Sequence, residues 1–568
     1  MRCVFCSFLT SMLALLIMSA QAQQIAPSQP NIQRITKALR PAVRDGSATE
    51  VGRLTPDRII NLFVQLEPKP GLPEFVDRVS DPNSPDYQQW ITAKQFRDRF
   101  GRDDAELAEL RAFARRNGLK VTHETSNGLF QVWTGSVANI EKAFGVQMKV
   151  YQHPSEARTF YSVDREPLVV VNTPIRHING FNDFGGRYHP GAHPGPLKVG
   201  GPGDGTGSGP SKSWLASDMR SAYNMGSNTG TGQVVGLAEF AGYAANDITK
   251  YFTNTGKTNN VPITNVVVDG GSATKWSNSN DEGEVCLDIQ QVLGIATGLT
   301  KLMVYIGPES FGTGVDGYIF NRMASDNIAK QLSSSWWWDP DDPTTDDPAF
   351  QQMAAQGQSM FNISGDLGAY TSSDSSESYP AEDVNVTTVG GTSLTTTGAG
   401  GTWKSEVVWN NSGEGSGGGP ANDGNTFPIP SWQKPVINSS NGGSTTVRNT
   451  PDVALQGDFN NYIVYDNGQT ATNWGGTSFA TPRWAAYLAL VNQQRVANGK
   501  SAGLGFLNPT LYSIGQGTNY TEDFHDITSG NNRTNGQSKY YNAVIDYDLT
   551  TGWGSMNGLN LMSDLAAK

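Results

Sequence analysis

The spacing of apolar residues changes several times along the chain, and these changes divide it into parts. Ile59 to Leu66 alternates apolar and polar positions, which predicts a strand. Asp103 to Arg116 predicts a helix, with Ala108, Leu110 and Phe113 among its apolar positions. Gly128 to Trp133 reads as a further strand and Val137 to Phe144 as a second helix. Two such arms predict a small α/β sandwich over residues 23–188.

Past residue 213 short apolar runs alternate with helical ones. Strands are predicted at Gln233–Phe240, Leu302–Ile306, Gln331–Ser335, Phe361–Ser364 and Val384–Val389. Helices are predicted at 284–297, 320–330, 348–356 and 479–494. This order predicts an α/β domain over 214–568, with a parallel sheet covered by helices on both faces. Active sites of such sheets lie at strand C-terminal ends. Glu239, Trp336, Asp366 and Ser478 each fall at or just after one.

Between the two parts, His189 to Lys212 is dominated by Gly, Pro and Ser. It has too little apolar surface to fold, so residues 189–213 read as a mobile linker open to proteolysis. An inert spacer and a processing region both fit that composition.

At the N-terminus, Arg2, the apolar run Phe8 to Met18 and Ala20-Gln21-Ala22 predict a removable secretory signal over 1–22. No later run is long and apolar enough to span a membrane. The mature chain is therefore expected to be exported, soluble and free of the membrane. Cys3 and Cys6 would leave with the signal, so Cys286 has no disulfide partner and reads as a buried small hydrophobe.

The net charge of −12 is unevenly placed. Residues 1–213 hold 25 Lys and Arg against 20 Asp and Glu; the rest holds 16 against 33. A basic piece and an acidic piece suit docking on each other. The acidic excess argues against nucleic acid as a partner.

The chemistry centres on Gly475-Gly476-Thr477-Ser478-Phe479-Ala480-Thr481-Pro482, a tight turn that delivers a serine to a helix start. The helix dipole and the nearby N–H groups suit a nucleophile there, although Ser and Thr also serve as plain caps. A serine needs a base. From residue 214 onward the chain has a single histidine, His525, and it follows the serine. Glu284 and Asp288 lie four residues apart, on one face of the predicted helix. They read either as a solvated acidic helix start or as a carboxylate pair that shares a proton and acts as a base. Asp366, in Ser364-Gly365-Asp366-Leu367-Gly368, reads either as a turn former or as a neutral acid that donates to an oxyanion.

Glu-x-x-x-Asp, then Ser-Gly-Asp, then Gly-Thr-Ser-x-x-x-Pro, in that order, resembles the sedolisin family of serine-carboxyl peptidases, of the kumamolisin and tripeptidyl-peptidase kind. Ser84-Pro-Asp-Tyr-Gln-Gln-Trp-Ile-Thr and Val137-Ala-Asn-Ile-Glu-Lys-Ala-Phe resemble that family's activation prodomain. Ser416-Gly-Gly-Gly-Pro, Pro430-Ser-Trp-Gln and Pro451-Asp-Val also fit.

The resemblance implies a subtilisin-like catalytic fold and an acyl-enzyme mechanism. Ser478 would be the nucleophile, Glu284 the base and acid, Asp288 its proton-sharing partner and Asp366 the oxyanion donor. Glu239 and Trp336 would extend the carboxylate hydrogen-bond chain. Trp337 and Trp338 stand where the family usually has Gly. The resemblance also implies one structural calcium ion, held by Asp526 and Asp548 side chains and by carbonyls of Ile527, Val544 and Asp546. Val544-Ile545-Asp546 replaces the family's Gly-x-Gly there. His525 would be a bystander.

The resulting expectation is a secreted, monomeric, acid-acting endopeptidase. It cuts proteins or peptides and is made as a precursor whose prodomain serves as inhibitor and chaperone. A tripeptidyl-peptidase, a histidine-dependent subtilisin-like hydrolase and an inactive binding protein on the same scaffold are the rival readings.

Overall fold

The computed structural model describes residues 31–186, 188–195, 206–268, 270–309, 314–370, 378–411, 413–421 and 427–568. The expected signal (1–22) and residues 196–205 of the expected linker lie outside them.

The larger part is built on an eight-stranded sheet. Ile263–Val267, Lys301–Ile306, Val234–Glu239, Gln331–Ser334, Ser359–Ile363 and Thr387–Thr396 follow one another across it, all parallel. Thr387–Thr396 also pairs parallel with Val453–Gln456 and antiparallel with Trp403–Val408. The central strands are buried along almost their whole length, which is why they read as continuous apolar runs. Cys286 is fully buried, with its thiol donating to Glu282 Oε1 at 3.0 Å.

Helices Ser279–Ile295 and Thr477–Ala497 pack side by side. Arg483, fully buried, ties them together by donating to Gln291 Oε1 at 2.8 Å. It also bonds Gln456 and Asn461, so a charge-assisted network sets the spacing of the two helices. The expected helices at 320–330 and 348–356 are Val315–Asp326 and Asp347–Ala355.

The smaller part holds a four-stranded antiparallel sheet, ordered Lys120–Glu124, Phe130–Ser136, Ile59–Leu66 and Ile175–Asn179. Its helices Asp104–Arg116 and Val137–Phe144 bury Leu110, Phe113, Ile140 and Phe144. Ser136 caps the second helix, and Asp103 with Glu106 forms a capping box on the first.

The two parts dock through Val315–Asp326 and Asp347–Ala355. Phe63 and Phe130 join the core of the larger part. Asn127 donates to Asn321 and Gln352 at 2.8 Å each. The charge asymmetry is used at the boundary: Lys37 pairs with Asp342, Arg40 with Asp339 and Asp341, and Arg176 with Asp347 at 2.7 Å.

The expectation of a mobile linker fails at its first residues. His189–Pro190 pairs antiparallel with Trp336–Trp337, and His193–Pro194 with Trp474–Gly475. The backbone N–H groups of a Gly/Pro-rich segment have no partners of their own. Here the larger domain supplies them, so the segment is ordered from outside.

Candidate active site

Ser478 is the second residue of helix Thr477–Ala497 and fully buried. Gly476, with φ of 142°, makes the turn that puts it there. A Cβ on Gly476 would lie 2.6 Å from Asp366 Oδ2 and 2.9 Å from Ala192 Cα, so only glycine lets these groups close in.

Glu284 and Asp288 occupy one face of Ser279–Ile295 and are both fully buried, which removes the solvated-helix reading. Ser478 Oγ has no hydrogen bond of ordinary length, yet lies close enough to favour the ionised form of Glu284. Asp288 accepts from Ser335 Oγ at 2.9 Å, and its carboxyl lies close enough to Glu239 for each to act on the other's protonation. Glu239, at the end of Val234–Glu239, accepts from Trp336 Nε1 at 2.8 Å. The run Ser478, Glu284, Asp288, Glu239, Trp336 is therefore contiguous.

Burial holds the Glu239, Glu284 and Asp288 carboxyls well above the usual carboxylate range. The Asp288 charge pushes Glu239 and Glu284 further up. Three acids packed this closely cannot all ionise, so the group retains protons that water would strip from an exposed carboxylate. Burial likewise raises Asp366 to about 7, against the opposing bonds to Oδ1 from Thr477 N–H at 2.8 Å and Thr477 Oγ1 at 2.7 Å.

The segment 189–195 crosses this group. Gly191 N–H donates to Ser335 O at 3.0 Å. A Cβ on Gly191 would lie 2.5 Å from Ser478 Oγ, so this residue lies against the hydroxyl. The next N–H, of Ala192, donates to Glu284 Oε2 at 2.7 Å. Gly195 N–H donates to Asn473 O at 2.9 Å. The Gly191–Ala192 peptide thus lies between serine and glutamate, with backbone pairing on either side. His189 stacks on Trp337 at 4.3 Å, and His193 Nε2 meets Glu414 Oε1 at 2.7 Å.

Sequence reasoning missed Ser335, Glu414 and the seating of 189–195. The one available signal was the near-repeat His189-Pro190-Gly191 and His193-Pro194-Gly195 in a segment otherwise rich in glycine.

Elsewhere in the larger part, Asp548 is buried, and Asp526 lies across the 544–546 loop from it. Asp548 Oδ2 accepts from Val544 N–H at 3.2 Å, and Asp526 Oδ2 from Asp546 N–H at 3.1 Å. Burial raises Asp548 to about 6. Neither Asp526 nor Asp548 is ion-paired with a described Lys or Arg. Burial, then the field of Asp526, Asp548 and Asp546, pushes the Tyr520 phenol up, so three carboxyls gather there. Ile527 is buried beside them. An all-oxygen set short of positive charge fits a hard cation. His525 stacks on Trp403 at 4.1 Å, within a separate strand pair.

Residues 272–504 match the subtilase family, which with this sheet and serine helix defines a serine-type peptidase. Residues 46–184 match the pro-kumamolisin activation domain. The chain is 30% identical over 547 residues to kumamolisin of Bacillus sp. (strain MN-32), covering 91% of this chain and 94% of that one. Tripeptidyl-peptidase 1 of Rattus norvegicus is 32% identical over 239 residues, 38% of each chain. Pseudomonas sedolisin, a serine-carboxyl proteinase solved with two molecules of pseudo-iodotyrostatin, superposes with a TM-score of 0.55. It is 27% identical, and the match covers 64% of this chain and 100% of that one. The chain belongs to the sedolisin family of serine-carboxyl peptidases, with its activation prodomain.

Proposed function

We propose that this chain is an exported, acid-acting endopeptidase that matures by cutting itself, first at Gly191–Ala192. The observation that carries the reading is the Ala192 N–H on Glu284, beside Ser478.

Ser478 Oγ attacks the carbonyl carbon of the scissile peptide, and Glu284 takes the hydroxyl proton. The carbonyl oxygen becomes an oxyanion, which Asp366 stabilises by donating from its neutral carboxyl. As the oxyanion collapses, the C–N bond breaks and Glu284 returns its proton to the leaving nitrogen. Water, with Glu284 again as base, then hydrolyses the ester on Ser478. Asp288 and Glu239 hold a shared proton that sets the basicity of Glu284, and the Trp336 N–H fixes Glu239. Acid favours this machinery because Asp366 must carry its proton.

Endopeptidase action is supported by the unprimed side of the cleft. The chain continues upstream of His189-Pro190-Gly191 into Tyr188, whose hydroxyl donates to Asp316 at 2.6 Å. Cleavage after a free three-residue terminus does not need that passage. The prodomain acts as inhibitor and folding template, the product is a secreted monomer, and Asp526, Asp548 and the Ile527 carbonyl hold one calcium ion that stiffens the C-terminal loops.

The test is to acidify purified precursor and map fragments by mass spectrometry, with Ser478→Ala as control. The expected result is a new N-terminus at Ala192 in the wild type and an intact Ser478→Ala chain. A Ser478→Ala precursor that matures alone and then digests protein in acid overturns the reading.

A further inference from the structure

Glu414 stands out among the residues around the cleft. It lies in Ser412-Gly413-Glu414-Gly415-Ser416, at the start of strand Glu414–Pro420, where its neighbours have no side chain or a small one. Nothing in the proposed proton path uses it. Its Oε1 is 2.7 Å from His193 Nε2, and its Oε2 is buried without a hydrogen-bond partner among the described residues. His193 is the second residue after the bond lodged at Ser478. Backbone pairing holds it opposite Gly475, in the turn that delivers the serine. The cavity beside it, of about 250 Å³, is bordered by Asn280, Trp337, Leu367 and Glu414. A carboxylate with one oxygen engaged by a side chain from the substrate position, and the other vacant, suits a donor with more than one N–H.

We infer that Glu414 is a specificity-determining residue, making the site prefer a cationic side chain (Arg, Lys or protonated His) two residues after the scissile bond. This rests on the peptidase reading above and extends it from the precursor's own segment to foreign substrates. His193 fills the subsite in cis. Once the segment has left, the same carboxylate faces the incoming chain. Register makes the selection positional: the pairing of His193 with Gly475 aims this side chain toward Glu414, while neighbouring side chains of an extended peptide point elsewhere. Aspartate or glutamate at the position would set two carboxylates against each other in a half-buried pocket.

The test uses acid-matured enzyme and quenched peptides identical except at the second residue after the cut, which is Arg, Lys, His, Gln, Ala or Glu. The expected result is kcat/KM about tenfold higher for Arg and Lys than for Gln, with Glu lowest, the size of one charge-assisted hydrogen bond. In Glu414→Gln the series is expected to flatten, and in Glu414→Lys the Glu peptide is expected to rise above Arg. The wild-type series stands alone if a variant fails to fold. Rates within twofold across the wild-type series, with cleavage otherwise efficient, overturn the inference and leave the peptidase reading intact. Failure to cleave any peptide overturns both.

Discussion

The N–H of Ala192 donates to Glu284 Oε2 at 2.7 Å, in a chain where Ser478 Oγ lies against Gly191. In the proposed cleavage, the nitrogen that would gain a proton already lies within hydrogen-bond distance of the group that would supply one. Glu284→Gln keeps an oxygen for that N–H but cannot ferry a proton. Maturation and peptide hydrolysis are expected to fall about 10²–10⁴-fold with little change in melting temperature. Single-turnover maturation assays beside calorimetry check this.

Asp366 separates two kinds of substitution. Asp366→Ala removes the proposed oxyanion donor and is expected to lower kcat about 10²–10³-fold. Asp366→Asn retains a donor at every pH. The wild-type acid titrates near 7, so its share of activity is lost as pH rises through that value. Relative to wild type, the Asn variant is expected to lose less kcat between pH 6 and 8, read from a pH profile.

The buried acids also set a stability trend. Glu239, Glu284, Asp288 and Asp366 all have folded-state pKa values above their ordinary ones of 3.8 to 4.5. The folded state therefore binds more protons. The contribution is fully present below about pH 4 and is lost as pH rises through the folded values, near 7 for Asp366. In a Ser478→Ala background, Glu239→Gln is expected to gain stability relative to Glu239 as pH rises from 4 to 8, measured as the difference in melting temperature.

Arg176 faces a second pair of neighbouring carboxyls. It bonds Asp347 at 2.7 Å, and Asp347 interacts in turn with Asp383. Burial, then the Asp383 charge, raises Asp347. Arg176 opposes that rise and so favours a charged Asp347 at the boundary. Arg176→Ala removes the bonds to Asp347 and to Thr344 O across the boundary, at about 1.5–3 kcal/mol for each such charged bond. The variant precursor is expected to mature at least tenfold faster at mildly acidic pH, followed by gel densitometry.

Calcium removal is expected to lower the melting temperature by several degrees, with release of one ion per chain. Asp548→Asn should bind less calcium and respond little to chelator. An unchanged melting curve, with no calcium found by atomic emission in the wild type, would count against the site.

Long apolar runs made the central sheet legible: Val234–Glu239 and Lys301–Ile306 pack on both faces and carry little else. Glu414–Pro420 was hidden because Gly415, Gly417, Gly418 and Gly419 have no side chain to show a period. The serine and carboxyl residues that the structure brings together, and their order, were legible too. What escaped was the partnering of 189–195, whose structure comes from Trp336–Trp337 and Trp474–Gly475, well over a hundred residues away. Composition reports what a segment lacks within itself, and cannot report what a distant surface provides.

The two-sided pairing of that segment has a kinetic corollary. On the proposed maturation, cutting Gly191–Ala192 would leave each new end still zipped to its own wall of the cleft, one tethered to the prodomain and the other to the enzyme. A tethered end competes at an effective concentration in the millimolar range. The newborn enzyme therefore begins as its own product complex. Its turnover of added peptide should show a lag after the first cut, shortened by trimming the residues that follow Ala192. Birth and competence are then separate events, and the second sets the clock.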